Sequence, residues 1–325
     1  FKHQGDAVSA WENKNRMGIL AMATGSGKTI TARICATKLQ NELKEGLLVV
    51  ISAPYKPLIA QWCEEISDFG IQAINLTESG NSSKRSKEIM IAGRNLSMDI
   101  SRTEVLVTSN DTLCTDQFIE SITRVKSKKL IIADECHNLG SESFTTNPPI
   151  IFDYRLGLSA TPIRQYDEKG TEELLAFFGQ VCFNYDLKEA IGKCLTEYDY
   201  HVHFVELLTD EMEEWRDLTE EISANQWRRR AEKDVKYLEL LVIKRRKILE
   251  TASGKISLLA ELLELEGNRK IEYALIYATD KDPQQLKEVN KLLKDRGISF
   301  HQLTDRETNK GRTAQEILLD FQTAI

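Results

Sequence analysis

The stretch Met17-Gly18-Ile19-Leu20-Ala21-Met22-Ala23-Thr24-Gly25-Ser26-Gly27-Lys28-Thr29-Ile30 decides how this chain folds. Its first five residues form an apolar run that reads as a short buried strand. Beyond it, Ile30, Ile34 and Leu39 recur at helical spacing. Strand, Gly-rich turn, Lys-Thr, helix is the context that a phosphate-binding loop requires. Gly25 and Gly27 let the backbone turn tightly, so that successive N–H groups face one concavity. The following helix N-terminus adds partial positive charge. Lys28 can reach the β- and γ-phosphates of a nucleotide, and the Thr29 hydroxyl can take a place on Mg²⁺. The common pattern G-x-x-x-x-G-K-[ST] wants Gly at position 22, where this chain has Met22. The bland reading of the same residues is a Gly-rich turn without a ligand.

With 325 residues, two domains are the natural expectation. A composition of 41% hydrophobic and 29% charged residues is ordinary for a globular protein. No apolar run approaches the ~20 residues of a membrane span, and Phe1-Lys2-His3-Gln4 is not a signal peptide. The chain reads as starting inside a domain. Its cysteines (Cys35, Cys63, Cys114, Cys136, Cys182, Cys194) are scattered, with no C-x-x-C pair. That argues against a zinc site or a disulfide framework and fits a reducing cytosol. The expectation is a cytoplasmic protein with no membrane partner. The net charge of −7 restricts any nucleic-acid contact to a local patch or to backbone amides.

Around the loop, the pattern alternates. Residues 1–16 read as a helix. Leu47-Leu48-Val49-Val50-Ile51 is a continuous apolar run, as in a parallel strand covered on both faces. Pro57 opens a helix that Gly70 stops. Residues 71–76, 104–108 and 130–133 read as strands, and Asn81 to Lys87 as a polar, mobile loop. Such alternation means an α/β fold with a parallel sheet, whose ligands bind at the carboxyl ends of strands. From 206 to 268 the β-branched runs give way to Glu, Leu, Lys and Arg with apolar residues stepping at three to four, which predicts a helical connector ending at Gly267. Tyr273–Ala278 and Ile298–Leu303 then read as strands separated by a helix that Asp282-Pro283 opens. The expected organisation is a first domain over 1–205, the connector over 206–268, and the start of a second domain over 269–325.

The strand at 130–133 ends in Asp134-Glu135-Cys136-His137, a Walker B arrangement. Asp134 suits Mg²⁺, and Glu135 suits polarisation of an attacking water. The order of ATGSGKT (23–29), DECH (134–137) and LGLSATP (156–162) resembles superfamily 2 helicases and translocases. Ser52-Ala53-Pro54 with Gln61-Trp62 looks like motif Ia, Val107-Thr108-Ser109 like motif Ib, and Ala274–Tyr277 like motif IV. The resemblance covers about 1–200 and 270–325. It implies a RecA-like domain of the P-loop NTPase type, followed by part of a second one.

The resemblance further implies ATP and Mg²⁺ as cofactors. Thr24, Gly25, Ser26, Gly27, Lys28 and Thr29 would hold the nucleotide, with Gln4 on adenine. Thr29 and Asp134 would serve the metal, with Lys28, Asp134, Glu135 and His137 as the catalytic set. Ser159 and Thr161, with His137, would couple nucleotide state to domain closure. Pro54, Thr108 and Ser109 lie where the family grips the nucleic-acid backbone, and small polar groups and amides can do so without added charge. The family's motifs V and VI, with the arginine fingers, would lie beyond Ile325, so this chain is expected to bind ATP and hydrolyse it weakly.

Residues 157–164, leading into 170–179 and then 186–191, carry the resemblance towards DEAD/DEAH-type helicases of bacterial restriction and phage-defence systems, related to type I and type III restriction motors and to nucleotide-excision-repair helicases. This implies duplex DNA in preference to RNA, with other subunits or a nuclease domain as partners. An ATP-gated nucleic-acid sensor without processive unwinding stays open as the alternative, and a P-loop kinase or transporter ATPase is the weaker rival. Two basic clusters sit on the connector, Trp227-Arg228-Arg229-Arg230 and Lys244-Arg245-Arg246-Lys247. Arg228, Arg229 and Arg230 are candidate phosphate contacts. The opposing reading is a solvated helix face paired with nearby glutamates.

Overall fold

A computed structural model describes the chain except for residues 69, 140–141, 165–166, 226–231, 266–270, 280–282, 305–313 and 324–325. The chain divides into two compact units, Phe1–Asp199 and Tyr200–Ile325.

The first unit begins with helix α1 (Lys2–Glu12) and strand β1 (Met17–Met22), then α2 (Lys28–Glu42), β2 (Leu47–Ala53), α3 (Lys56–Ser67) and β3 (Ala73–Asn75). It continues through α4 (Ser82–Ser97), β4 (Thr103–Ser109), α5 (Asn110–Leu113), α6 (Asp116–Thr123) and β5 (Lys128–Ala133). After a 3₁₀ turn at Cys136–Leu139 come α7 (Glu142–Thr146), β6 (Tyr154–Ser159), α8 (Glu168–Phe178), β7 (Val181–Tyr185) and α9 (Leu187–Ala190).

The strands form one seven-stranded sheet in the order β3-β4-β2-β5-β6-β1-β7, and every pairing is parallel. Parallel strands need helical crossovers, which cover both faces. One core layer packs Trp11, Ala32, Leu39, Ile59 and Trp62 against the sheet. The other packs Ile89, Leu96, Phe118, Ile122 and Phe178 against the opposite face. β2 is buried at all seven of its positions, which is why it reads as an unbroken apolar run. The fold is the expected α/β one.

Several elements differ from the sequence reading. The expected loop at 81–87 is the first part of α4. Asn81 caps that helix by accepting the Lys84 N–H at 2.9 Å, and Ile89, Ala92 and Leu96 supply its buried stripe. The polar run is simply the solvent face of its first turns. The strand expected at 71–76 shrinks to three residues at a sheet edge. The first helix stops at Glu12 rather than 16.

The second unit contains α10 (Thr209–Asn225), α11 (Glu232–Glu250), α12 (Gly254–Leu265), α13 (Pro283–Asp295) and α14 (Ala314–Thr323). α10 packs on α11, and Ile222, Leu238, Leu241 and Ile248 are buried. Tyr273–Ala278 and Ile298–Leu303, expected as strands, are not paired in any ladder among the described residues. Apolar content makes a segment fit for a strand, but only a hydrogen-bonded neighbour makes it one. Gly267 and Asp282 lie outside the described residues. No described helix is long and apolar enough to cross a membrane.

Candidate active site

β1, β5 and β6 are adjacent in the sheet, so the residues that follow them meet at one edge. The loop after β1 turns through Gly25 at φ 79° and Gly27 at φ 87°, a left-handed backbone that glycine adopts without strain. Ser26 is buried and its Oγ donates to the Ala23 carbonyl at 2.7 Å, closing the loop. Gly27 stands at the N-cap of α2, so the free N–H groups of the first turn open into the loop.

Lys28 Nζ reaches Glu135 Oε1 at 3.2 Å. This places the end of the loop directly against the Asp-Glu pair after β5. Glu135 has φ 44°, which a residue with a Cβ rarely adopts and which marks a position held by its surroundings. Asp134 is almost wholly buried. Its Oδ1 accepts the Glu135 N–H at 2.9 Å, and its Oδ2 accepts the indole N–H of Trp62 at 2.9 Å. Burial pushes its carboxyl above the ordinary aspartate value, and the hydrogen bond from Trp62 opposes that shift.

His137 lies between the second and third motifs. Its Nδ1 is 2.9 Å from Ser159 Oγ and 3.5 Å from Glu135 Oε2. Its Nε2 is 3.2 Å from Asn138 Nδ2, which also donates to the Glu135 carbonyl. An amide nitrogen can only donate, so Nε2 accepts and the neutral ring carries its proton on Nδ1. Ser159 Oγ also accepts the Thr161 N–H at 3.0 Å. Arg164 donates to the His137 carbonyl and pairs with Asp167 at 2.7 Å. The Asp-Glu-Cys-His and Ser-Ala-Thr stretches thus form one hydrogen-bonded network.

Gln4 is buried beside the loop, with its Nε2 3.5 Å from the Gly27 carbonyl. Its neighbour His3 reaches the Ser26 carbonyl at 2.9 Å and stacks on Tyr185 with ring centroids 4.2 Å apart.

A cavity of about 290 Å³ lies at the ends of β2 and β4. Pro54, Lys56, Thr77, Arg85, Ser109 and Thr112 line it. Arg85 donates to Thr112 Oγ1 at 3.0 Å, and Ser109 Oγ caps α5. Thr108 is fully buried and its Oγ1 has no hydrogen-bond partner, so its side chain does not face the cavity. Arg228, Arg229 and Arg230 lie outside the described residues. In the other basic cluster, Arg245 lies over the Trp215 ring at 5.6 Å and Arg246 pairs with Glu250.

The residues present fit an ATP–Mg²⁺ complex. The loop offers amides and a cation to phosphates, and Thr29 with Asp134 offers hard oxygen donors. No cluster of three or more metal-ligating side chains occurs among the described residues. Mg²⁺ needs none where phosphates and water complete its shell. Sequence reasoning assigned no part to His3, Trp62, Lys56, Arg85, Asn138 or Arg164. Only Trp62 carried a signal, its place beside Gln61 in the motif Ia segment.

A parallel sheet with a Gly-rich loop after one strand and an acidic pair after another defines a P-loop NTPase architecture. The family model of the type III restriction enzyme res subunit matches residues 1–164, just over half of the chain, and the chain belongs to that family. No curated relative matches in sequence. Among solved structures, the Pyrococcus furiosus Hef helicase domain is 15% identical, with 98% of this chain and 82% of that chain covered and a TM-score of 0.51. The likeness shows a shared RecA-like α/β fold. The Sulfolobus solfataricus SWI2/SNF2 ATPase core, solved with dsDNA, is 18% identical over 98% of this chain and 74% of that chain, TM-score 0.40. The type ISP restriction-modification enzyme LlaBIII, solved bound to DNA, is 18% identical over 58% of this chain, TM-score 0.44, and the chain spans only 15% of its length. The resemblance to restriction motor subunits holds.

Proposed function

We propose that this chain is the motor core of an ATP-dependent nucleic-acid translocase or helicase acting on duplex DNA, in a restriction, defence or repair system. The observation that carries the reading is the 3.2 Å contact between Lys28 and Glu135, joined through His137 to Ser159 at 2.9 Å. Three motifs distant in sequence meet within one hydrogen-bonded site. Membership of the restriction res family supports duplex DNA as the substrate.

In this reading Lys28 leaves Glu135 for the β- and γ-phosphates, and the loop amides hold the phosphate chain. Gln4 reads adenine. Thr29 and Asp134 hold Mg²⁺, which when bound neutralises charge on the phosphates. Freed of Lys28, Glu135 orients the attacking water. His137, fixed between Glu135 and Ser159, carries the change at the phosphates to Thr161. Pro54 and Ser109 grip the DNA backbone together with Lys56 and Arg85. The buried Thr108 contributes through its backbone, and the arginines at 228–230 add phosphate contacts. In the same reading residues 1–205 are the first RecA-like domain, 206–268 a connector and 269–325 part of a second RecA-like domain.

The test is ATP hydrolysis by the chain with duplex DNA, single-stranded DNA and duplex RNA. The expected result is a low rate that duplex DNA raises most. A rate indifferent to every nucleic acid would favour an ATP-gated switch instead.

A further inference from the structure

Helix α3 connects the cavity to the acidic pair. Its first residue, Lys56, lines the cavity. Its buried Trp62, two turns on, donates to Asp134 Oδ2 at 2.9 Å. A second hydrogen-bonded route runs alongside. Asn110, the first residue of α5 next to the cavity-lining Ser109, accepts from Ser52 Oγ at 2.5 Å. The carbonyl of Ser52 accepts the Asp134 N–H at 2.8 Å.

The geometry at Asp134 is specific. One carboxylate oxygen is held by the Glu135 N–H and the other by the Trp62 indole. Two donors, one in the turn after β5 and one from α3, fix the carboxylate plane and leave lone pairs for a cation. Such outer partners orient a ligand and set its affinity for metal. A buried indole N–H ordinarily finds some acceptor, and that of Trp11 takes the backbone carbonyl of Arg155. At Trp62 the acceptor is the carboxylate that the proposed reaction uses.

We propose that Trp62 is a positioning residue for Asp134, and that through α3 it ties occupancy of the cavity by DNA to the metal-holding carboxylate. This rests on the reading of the loop as an ATP–Mg²⁺ site. Groove and metal ligand then share one rigid element, so displacement of Lys56 by a backbone phosphate is felt at Asp134.

The experiment is a Mg²⁺ titration of the binding of a fluorescent ATP analogue to the full chain, with and without a short DNA duplex. Wild type, Trp62→Phe and Lys28→Ala are compared, and melting temperatures are recorded. Trp62→Phe keeps an aromatic ring, removes the donor and leaves a smaller side chain, whose packing cost the melting temperature records. Its binding without Mg²⁺ should match wild type, while its Mg²⁺ midpoint rises by about 10–100-fold. Duplex DNA should lower the midpoint of wild type and leave that of Trp62→Phe where it is. A lowered melting temperature with a Mg²⁺ midpoint within about threefold of wild type overturns the proposal. So does a DNA effect of equal size in both proteins.

Should Trp62→Phe not fold, the indole emission of the other proteins decides. Mg²⁺ added to the nucleotide complex should change it in wild type and equally in Trp11→Phe, Trp215→Phe and Trp227→Phe, which leaves Trp62 as the source, and a change that is absent or is lost with any of those three overturns the proposal. If wild type itself binds no nucleotide, or Lys28→Ala binds as well as wild type, the loop reading falls and this inference with it.

Discussion

Glu135 shows most directly how single residues make this site. Its left-handed backbone turns the side chain back to Lys28 and His137. Lys28 and Glu135 stood out in sequence because a Gly-rich turn precedes one and an apolar strand precedes the other. The bond between them did not, since 107 residues separate the partners. If Lys28 holds the phosphates, Lys28→Ala should lower DNA-stimulated ATP hydrolysis by ~10²–10³-fold, as loss of one preorganised charge does. A phosphate-release assay measures this, and retained turnover would remove the loop from the mechanism. Gly27→Ala tests the backbone. A methyl group there meets Gln4 Nε2. The flexible Gln4 can move, but the left-handed backbone cannot relax, so a loss of about 1–2 kcal/mol is expected. Denaturant unfolding reports it.

Among the elements, the helix caps decide what the hydrophobic pattern left open. The stretch 81–87 is polar, and its composition hides a helix start. Asn81 at the cap and the stripe Ile89, Ala92 and Leu96 are the signals that were present. Asn81→Ala should destabilise the protein by about 1 kcal/mol and leave nucleotide binding unchanged, and a thermal melt paired with a binding titration separates the two. At α8, Asp167 caps the helix by accepting the Gly170 N–H at 2.8 Å. That bond, and then the bond from Arg164, hold its carboxyl below the ordinary aspartate value. A depressed carboxyl contributes stability above the ordinary value, and loses it as pH falls through the folded value. Asp167→Ala should therefore be less stable than wild type at neutral pH. The two should converge in acid below the usual aspartate range, which denaturation series across pH can follow.

For the whole molecule, both core layers lie within residues 7–195, as do the loop, the acidic pair and the Ser-Ala-Thr stretch. A fragment of residues 1–199 is therefore expected to unfold cooperatively and to bind nucleotide, as calorimetry and titration can test. Burial in the first layer pushes the Cys35 thiol up to about 12. Thiolate is the reactive form, so Cys35 should resist iodoacetamide in the native protein and react once it is denatured, a difference that peptide mass analysis detects.

By itself, the sequence determined the α/β class and placed the Gly-rich turn after β1 and the acidic pair after β5. These depend on local rules: apolar runs for covered strands, and glycine where φ is positive. Only the tertiary structure decided that Lys28 faces Glu135, that His137 joins Ser159, that Trp62 holds Asp134 and that Thr108 turns inward. Sheet order sets those meetings, bringing β1, β5 and β6 side by side although they are far apart in the chain. Nothing local encodes that adjacency. The segments 273–278 and 298–303 give the same lesson from the other side, because an apolar run becomes a strand only when the fold provides its partner.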